Sequence, residues 1–210
     1  MSRYDELIDS VASGQEANAK KLTQELLDQG VDAKSIIDDA LIPAMDQVGK
    51  KFQNKEIFVP EMLINALTMR EAMKIIEPHI TDSQKNSKVK FVLGTVAGDL
   101  HDIGKDIVGM MLEGAGFEVI DMGIDVSSED FISAVKSNQA AFLGLSALLT
   151  TTMPRMKEII AALADEGIRN NVKVLIGGAP VTESYAKEIG ADAYAKDASA
   201  AVEAARSLLV

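Results

Sequence analysis

The sequence predicts two successive domains, an N-terminal four-helix bundle and a C-terminal α/β domain with a five-stranded parallel sheet. Two observations favour this fold class. Apolar residues recur at helical spacing from residue 1 to about 88, a pattern typical of amphipathic helices. From residue 89 onward, short apolar runs alternate with helical patterns, which is typical of βα units. We therefore expect domains at 1–88, linker included, and at 89–210.

Four amphipathic helices are predicted in the first domain, and their short connections favour an antiparallel bundle. Pro43 lies inside the periodic pattern of the third helix and predicts a kink there. The methionines Met62, Met69 and Met73 on the fourth helix predict core packing. The predicted helices are Tyr4–Ala12, Gln15–Gln29, a third that Asp32 caps and that reaches Phe52, and Pro60–Glu77.

The connection between the third and fourth helices carries apolar side chains where a connection is usually polar. These residues are Phe52, Ile57, Phe58 and Val59. Apolar residues at a loop tip indicate a surface that something else covers. A hydrophobic staple that fixes the start of the fourth helix is an equally good interpretation.

A polar stretch at residues 81–88 separates the two patterns and predicts the domain boundary. Five βα units follow it, and right-handed crossovers then favour a flavodoxin-like strand order of two, one, three, four, five. The predicted strands lie near Lys90–Thr95, Glu118–Asp121, Ala141–Ser146, Val172–Ile176 and Asp192–Tyr194. The predicted helices lie near Lys105–Gly114, Glu129–Ser137, Met153–Glu166, Glu183–Ile189 and Ser199–Leu208.

The loop after the first predicted strand has the sequence Gly98-Asp99-Leu100-His101-Asp102-Ile103-Gly104. In open α/β sheets, ligands bind at the carboxyl ends of the strands. Asp99 can accept a hydrogen bond from one ring nitrogen of His101, which leaves the other nitrogen as an electron-pair donor to a metal. A helix cap or a histidine satisfied within its loop is the alternative interpretation.

The loops after the third and fourth predicted strands carry two further features. Ser146 ends the third strand and is followed by hydroxyl residues at 150–152, and Gly177-Gly178 ends the fourth. The predicted order makes strands one, three and four neighbours, so all three loops open on one edge of the sheet. The two glycines would clear space for something large. Together the three features indicate a binding site more strongly than any one alone.

Composition excludes several classes of function. The net charge of −11 argues against a nucleic-acid partner, which requires basic patches. The chain has no cysteine and two histidines, which excludes thiolate and histidine-rich zinc sites, so a metal would arrive inside a cofactor. The polar N-terminus is unlike a signal peptide and no apolar run approaches membrane-spanning length. We therefore expect a cytoplasmic protein without a membrane partner.

The motif Asp-x-His-x-x-Gly, followed by Ser-x-Leu and then Gly-Gly, resembles the pattern of cobalamin-binding domains. The resemblance implies that His101 replaces the cofactor's own base as the lower ligand of cobalt, the base-off, His-on state. It also implies a relay in which Thr152 supports Asp99. Methyl-transferring members have serine at this position, and threonine can make the same hydrogen bond. The implied cofactor contacts are Gly98, Asp99, Leu100, His101, Asp102, Gly104, Ser146, Leu148, Thr150, Gly177, Gly178 and Ala198.

The helical domain resembles the caps of corrinoid methyltransferases, in which an aromatic and an aliphatic side chain cover the upper face of cobalt. Phe52 and Val59 match these two positions. The whole chain thus resembles the corrinoid proteins of methanol, methylamine and aryl-ether methyltransferase systems, and the cap and cobalamin domains of methionine synthase.

This resemblance implies a carrier of methyl groups, with methylcobalamin present in turnover. The implied partners are a substrate-specific methyltransferase, a corrinoid:tetrahydrofolate or thiol methyltransferase, and a reductive activator. The chain would not turn over alone. Three alternatives stay open. The small subunit of an adenosylcobalamin mutase would not need this cap. A cobalamin-dependent sensor would need a signalling domain. A cofactor-free receiver would leave the glycine pair unexplained.

Overall fold

The computed structural model describes residues 2–80 and 89–209, so the predicted linker at 81–88 lies outside the described residues. The chain divides into two compact units. One contains Met1–Lys88 and Glu113–Gly116, and the other contains Val89–Leu112 and Phe117–Val210. In the described part of the chain, no helix has both the length and the apolar character needed to cross a membrane.

The first unit is helical, as predicted. Its helices are α1 (Arg3–Ala12), α2 (Glu16–Asp28), α3 (Ala33–Ile36), α4 (Ile42–Gln53) and α5 (Val59–Ile76). Helix α1 packs against α2 and α4, and α5 packs against the same two helices. Met62 and Met69 on α5 are buried and Met73 is half-buried. The methionine stripe therefore serves the core, as its spacing predicts.

The third predicted helix is interrupted before its proline. A π-helical turn at Ile37–Leu41 lies between α3 and α4, and Pro43 is the second residue of α4. Residues 33–53 are helical without a break, so Pro43 lies inside the helical run and cannot donate a hydrogen bond to the preceding turn. The irregularity predicted at Pro43 thus takes the form of a π turn just upstream of it.

The second unit is a parallel α/β domain. Its strands are β1 (Lys90–Thr95), β2 (Glu118–Asp121), β3 (Phe142–Ser146), β4 (Lys173–Gly177) and β5 (Ala193–Ala195). The strand order is β2-β1-β3-β4-β5, and every pair is parallel, which confirms the predicted topology. Thr95, Ser146 and Gly177 stand side by side in register. The loops that follow these three residues therefore share one edge of the sheet.

Helices follow each strand and cover the sheet. They are α6 (Ile103–Gly114), α7 (Ser128–Asn138), α8 (Pro154–Asp165), α9 (Glu183–Ile189) and α10 (Ala198–Ser207). Val92 and Leu143 belong to a buried cluster with Phe131 of α7. The neighbouring strand residues Phe91 and Phe142 are also buried, and their rings stack with centroids 5.4 Å apart. Because side chains alternate along a strand, both faces of the sheet are buried, which fixes the strand ends that carry the loops.

Candidate functional site

The loop between β1 and α6 is held by hydrogen bonds to its own strand. Thr95, the last residue of β1, is fully buried, and its hydroxyl donates to the carbonyl oxygen of His101 at 2.9 Å. The amide of Asp99 donates to the carbonyl oxygen of Val96 at 3.1 Å. Gly98 has a φ of +83°, a conformation that favours glycine. The chain therefore turns sharply after β1 and brings Asp99 next to His101.

Asp99 and His101 make the contact that the sequence predicts. The Nδ1 atom of His101 lies 2.7 Å from Oδ1 of Asp99. An ionised carboxylate can only accept hydrogen bonds, so Nδ1 carries the hydrogen and Nε2 keeps its lone pair. The Asp99 side chain is fully buried, whereas about half of the His101 side chain is exposed. The imidazole is thus fixed in one tautomer while part of its ring faces solvent.

The second oxygen of Asp99 binds the loop after β3. Its Oδ2 accepts a hydrogen bond from the Thr152 hydroxyl at 2.7 Å. It also accepts from the backbone amides of Leu148 at 2.8 Å and Leu149 at 3.2 Å. Asp99 therefore joins the His101 loop to the β3–α8 loop.

This environment keeps Asp99 ionised. Burial by itself would raise the pKa of Asp99, but the hydrogen bonds from Thr152, His101 and the Leu148 amide outweigh it and hold that pKa well below its usual range. A buried carboxylate is stable only with such partners. At neutral pH the negative charge of Asp99 consequently polarises the imidazole of His101 and makes its free nitrogen a stronger electron-pair donor.

The end of β4 approaches the end of β3 very closely at the glycine pair. A Cβ atom on Gly178, whose φ is +126°, would lie 1.9 Å from the carbonyl oxygen of Ala147. A Cβ atom on Gly177 would lie 3.0 Å from the carbonyl oxygen of Ala195. The space that these glycines leave is therefore occupied by neighbouring backbone. That the pair also leaves room for a large ligand stays a prediction.

The predicted site residues gather along this edge with different exposures. Asp99, Thr152 and Ala198 are buried, the last at the first position of α10, where Asp197 caps the helix. Ser146 and Gly177 are half-buried. The exposed residues are Gly98, Leu100, His101, Asp102, Gly104, Leu148, Thr150 and Gly178.

Large exposed apolar side chains lie on the His101 loop and on the loops that follow β2 and β3. They are exposed at Leu100 (67%), Ile103 (73%), Ile124 (40%), Leu148 (42%) and Leu149 (41%). Sequence reasoning missed Ile103, Ile124 and Leu149, although apolar residues directly after strand ends were a usable signal. An exposed apolar patch of this kind marks a surface for a ligand or partner. One imidazole donor amid apolar side chains fits a large, flat organic ligand that carries its own metal.

Sequence reasoning also missed a buried cation and an acidic contact beside the loop. Lys105 is only 3% exposed, and its ammonium group donates to Asp106 and Asp121, each at 2.6 Å. Asp125 accepts a hydrogen bond from the amide of Gly98 at 2.7 Å. Among residues 2–80 and 89–209, no group of three or more histidine and acidic side chains could hold a metal ion.

The first unit contains the two predicted covering residues. Phe52 lies near the end of α4 and Val59 begins α5. The amide of Phe58 donates to the carboxylate of Glu61 at 3.0 Å, a polar cap that satisfies the start of α5. Phe58 is 63% exposed and Val59 36% exposed. Phe58 is therefore largely exposed and Val59 about one-third exposed, whereas Phe52 and Ile57 are half-buried.

Comparisons with known proteins match both units. A family described as B12 binding domain matches residues 89–205, and a second model with the same description matches residues 3–77. A corrinoid protein of Desulfitobacterium hafniense (strain Y51) is 40% identical over 100% of this chain and 98% of its own length. The dimethylamine corrinoid protein 2 of Methanosarcina mazei is 41% identical over 98% of this chain and 96% of its own.

Two solved structures are similar over nearly the whole chain. A cobalamin-binding protein from Desulfitobacterium hafniense DCB-2 has a TM-score of 0.82 and 31% identity, covering 98% of both chains. The methanol:cobalamin methyltransferase complex from Methanosarcina barkeri has a TM-score of 0.89 and 28% identity, covering 99% of this chain and 79% of the matched chain.

Proposed function

The chain belongs to the family of B12-binding corrinoid proteins, and from this premise we propose that it carries a methyl group on cobalt between two methyltransferases. The first would be specific for the methyl donor, and the second would methylate tetrahydrofolate or a thiol. Relatives of the chain are corrinoid proteins of methyltransferase systems. The match of the helical residues 3–77 to a B12-binding family and the full-length similarity to corrinoid proteins disfavour a mutase subunit or a sensor.

The observation that supports this proposal best is the bond between Asp99 and His101. It fixes the imidazole with Nδ1 protonated, so the other nitrogen can serve as the lower ligand of cobalt in a base-off, His-on corrinoid. When bound, the corrinoid supplies the cobalt that accepts and releases the methyl group. His101 would hold the metal, and Asp99 would hold the proton at Nδ1. Thr152 would keep Asp99 ionised.

The remaining predicted residues have supporting tasks in this proposal. Leu100 and Leu148 would contact the corrin ring and exclude water from it, because their side chains are exposed beside His101. Phe52 and Val59 would shield the reactive face of the cofactor. The other proposed cofactor contacts are Gly98, Asp102, Gly104, Ser146, Thr150, Gly177, Gly178 and Ala198.

The ligand assignment can be tested by electron paramagnetic resonance of divalent cobalt. The protein is loaded with hydroxocobalamin, reduced by one electron, and compared with protein that carries histidine labelled with the heavier nitrogen isotope. If His101 is the ligand, labelling changes the nitrogen splitting, because the two isotopes differ in nuclear spin. His101→Ala should abolish this isotope effect and His79→Ala should preserve it. If the nitrogen splitting is the same with labelled and unlabelled histidine, His101 is not the ligand.

The carrier assignment is tested by the need for a partner. The reduced holoprotein is mixed with methanol or a methylamine, first alone and then with the methyltransferase that binds that donor, and methylation of the corrinoid is followed by absorption. We expect the reaction only with the partner, because the described site offers a metal ligand and its supports but no group that would activate a donor. Rapid, saturable methylation without the partner would contradict the carrier role.

A further inference from the structure

One residue outside the predicted site, Asp125, contacts two consecutive residues of the His101 loop. Its carboxylate accepts a hydrogen bond from the amide of Gly98 at 2.7 Å. Its own amide donates to the carbonyl oxygen of Asp99 at 3.1 Å. We propose that Asp125 is a positioning residue, which holds Gly98 and Asp99 so that Asp99 reaches His101 and Thr152 at the same time. This inference rests on the proposed role of His101 as cobalt ligand.

The two contacts fix the part of the loop on which the geometry of Asp99 depends. The Asp99 carboxylate has two separate tasks, with Oδ1 on His101 and Oδ2 on Thr152. A small rotation of the backbone before Asp99 would improve one bond at the expense of the other. The bonds of Asp125 hold the peptide group that precedes Gly98 and the peptide group that follows Asp99, and so restrain the two residues between them.

Asp125 adopts a backbone conformation that is unusual for a residue with a side chain. Its φ is +54°, in the left-handed region where aspartate and asparagine are tolerated but glycine is easiest. The conformation is enforced by its neighbour, since the amide of Val126 donates to the carbonyl oxygen of Thr95 at 3.0 Å. In this conformation the carboxylate of Asp125 reaches the amide of Gly98.

The segment before Asp125 is bound to helix α6, which follows His101 in the chain. Asp121 ends β2 and accepts hydrogen bonds from Lys105 on α6 at 2.6 Å and from the Gly123 amide at 2.9 Å. Burial would lower the pKa of Lys105, but the hydrogen bonds and charges of Asp106 and Asp121 outweigh it and raise that pKa. Lys105 therefore stays charged at neutral pH. The segment 121–125 thus contacts the chain both before and after His101.

Three substitutions at Asp125 separate the side-chain bond from the backbone conformation. Asp125→Asn keeps an acceptor oxygen and tolerates positive φ. Asp125→Gly removes the acceptor and relieves the conformation, whereas Asp125→Ala removes the acceptor and keeps the conformational cost. If Asp125 acts by its side chain, the asparagine variant should match wild type, and the glycine and alanine variants should both be impaired.

Two measurements report on the positioning. In the apoprotein, hydrogen exchange of the Gly98 amide should be slow in wild type and in Asp125→Asn, and about tenfold or more faster in the glycine and alanine variants. In protein loaded with hydroxocobalamin and reduced to divalent cobalt, the same two variants should lose nitrogen splitting from labelled histidine. They should also bind hydroxocobalamin about 10–100-fold more weakly, the usual loss for an outer partner of a metal ligand.

A matched control lies elsewhere in the same unit. Gln139 also has a positive φ, of +53°, at the C-terminus of α7. Gln139→Gly and Gln139→Ala make the same backbone changes away from the loop, so they should alter melting temperature without altering Gly98 exchange or nitrogen splitting.

The outcomes distinguish this inference from the proposed function. If wild-type protein shows no splitting from labelled histidine, the ligand assignment fails, whatever the variants do. If wild type shows the splitting and Asp125→Gly keeps both the splitting and slow Gly98 exchange, the positioning role is overturned. Fast exchange of Gly98 in wild type would overturn it as well, even if the glycine and alanine variants do not fold.

Discussion

The hydroxyl of Thr152 can be removed almost without changing the shape of its side chain, by Thr152→Val. The hydroxyl donates to Oδ2 of Asp99 at 2.7 Å, and both side chains are buried. The carbonyl oxygen of Leu149 also lies 2.9 Å from this hydroxyl, but it keeps the amides of Thr152 and Met153 as donors. The substitution therefore removes a hydrogen-bond donor mainly from the Asp99 carboxylate.

The magnitude follows from the charge of that acceptor. A hydrogen bond to a charged group contributes about 1.5–3 kcal/mol. Asp99 Oδ2 retains the amides of Leu148 and Leu149, so we expect Thr152→Val to lower the free energy of unfolding of the apoprotein by about 2 kcal/mol at pH 7. The pKa of Asp99 should rise toward its ordinary value, because one of the bonds that lower it is lost.

The ionisation of Asp99 sets the pH range over which this effect is present. The pKa of folded Asp99 is depressed, so its stabilisation is present above the unfolded value of about 3.9 and is lost as the pH falls through the folded value. The deficit of Thr152→Val exists only while folded Asp99 is ionised. Because the folded pKa is held well below its usual range, the deficit should persist from pH 7 to about pH 4 and shrink only as the pH falls through the folded values. Thr152→Ser keeps the hydroxyl and loses one buried methyl group, so its deficit of about 1 kcal/mol should not depend on pH.

Urea unfolding of the apoprotein at several pH values between 7 and 3.5 measures both deficits. The reasoning would be refuted if Thr152→Val and Thr152→Ser lost equal stability at pH 7. It would also be refuted if the valine deficit shrank between pH 7 and about pH 4, where folded Asp99 stays ionised.

Three further outcomes are expected. Gly178→Ala should lower the free energy of unfolding in urea by at least about 3 kcal/mol, because its Cβ would meet the Ala147 carbonyl oxygen at 1.9 Å. Gly190→Ala should lower it by about 1 kcal/mol, because Gly190 has a positive φ but no atom within 4 Å. Equal losses in the two variants would contradict this reasoning. Phe52→Ala should speed the net loss of methyl in photolysis of protein loaded with methylcobalamin, and an unchanged yield would reduce Phe52 to a packing role. Asp99→Asn should retain corrinoid but shift its reduction potential or slow methyl transfer about 10–100-fold, and wild-type values for both would exclude a relay.

The sequence allowed the fold to be predicted because its signals are local. Apolar side chains at helical spacing mark the helices of the first unit, and each strand of the second is a short apolar run before a helical pattern. Parallel βα units leave few possible strand orders, so the contact of the β1 and β3 loops could be expected. The bond between Asp99 and Thr152 follows from that order and from a recognised motif.

The missed features depend on contacts between residues far apart in the chain. Lys105 and Asp121 look like exposed surface charges in the sequence, yet Lys105 is buried against Asp121. Nothing in the residues around Asp125 predicts its positive φ or its bond to Gly98. The close approach of Gly178 to the carbonyl oxygen of Ala147 was missed for a similar reason, because that part of the chain after β3 is distant from Gly178 in sequence.

The electron-donating strength of His101 and its position depend on different loops, the first on the loop after β3 and the second on the loop after β2. Thr152, after β3, binds the charged oxygen of Asp99 and so affects how strongly the carboxylate polarises His101. Asp125, after β2, binds only the backbone of Gly98 and Asp99, and so affects where the imidazole is held. Because β1 lies between β2 and β3 in the sheet, its loop can be supported from both sides. Electronic tuning and positioning of a metal ligand can then change independently, by substitutions in loops that do not contain the ligand.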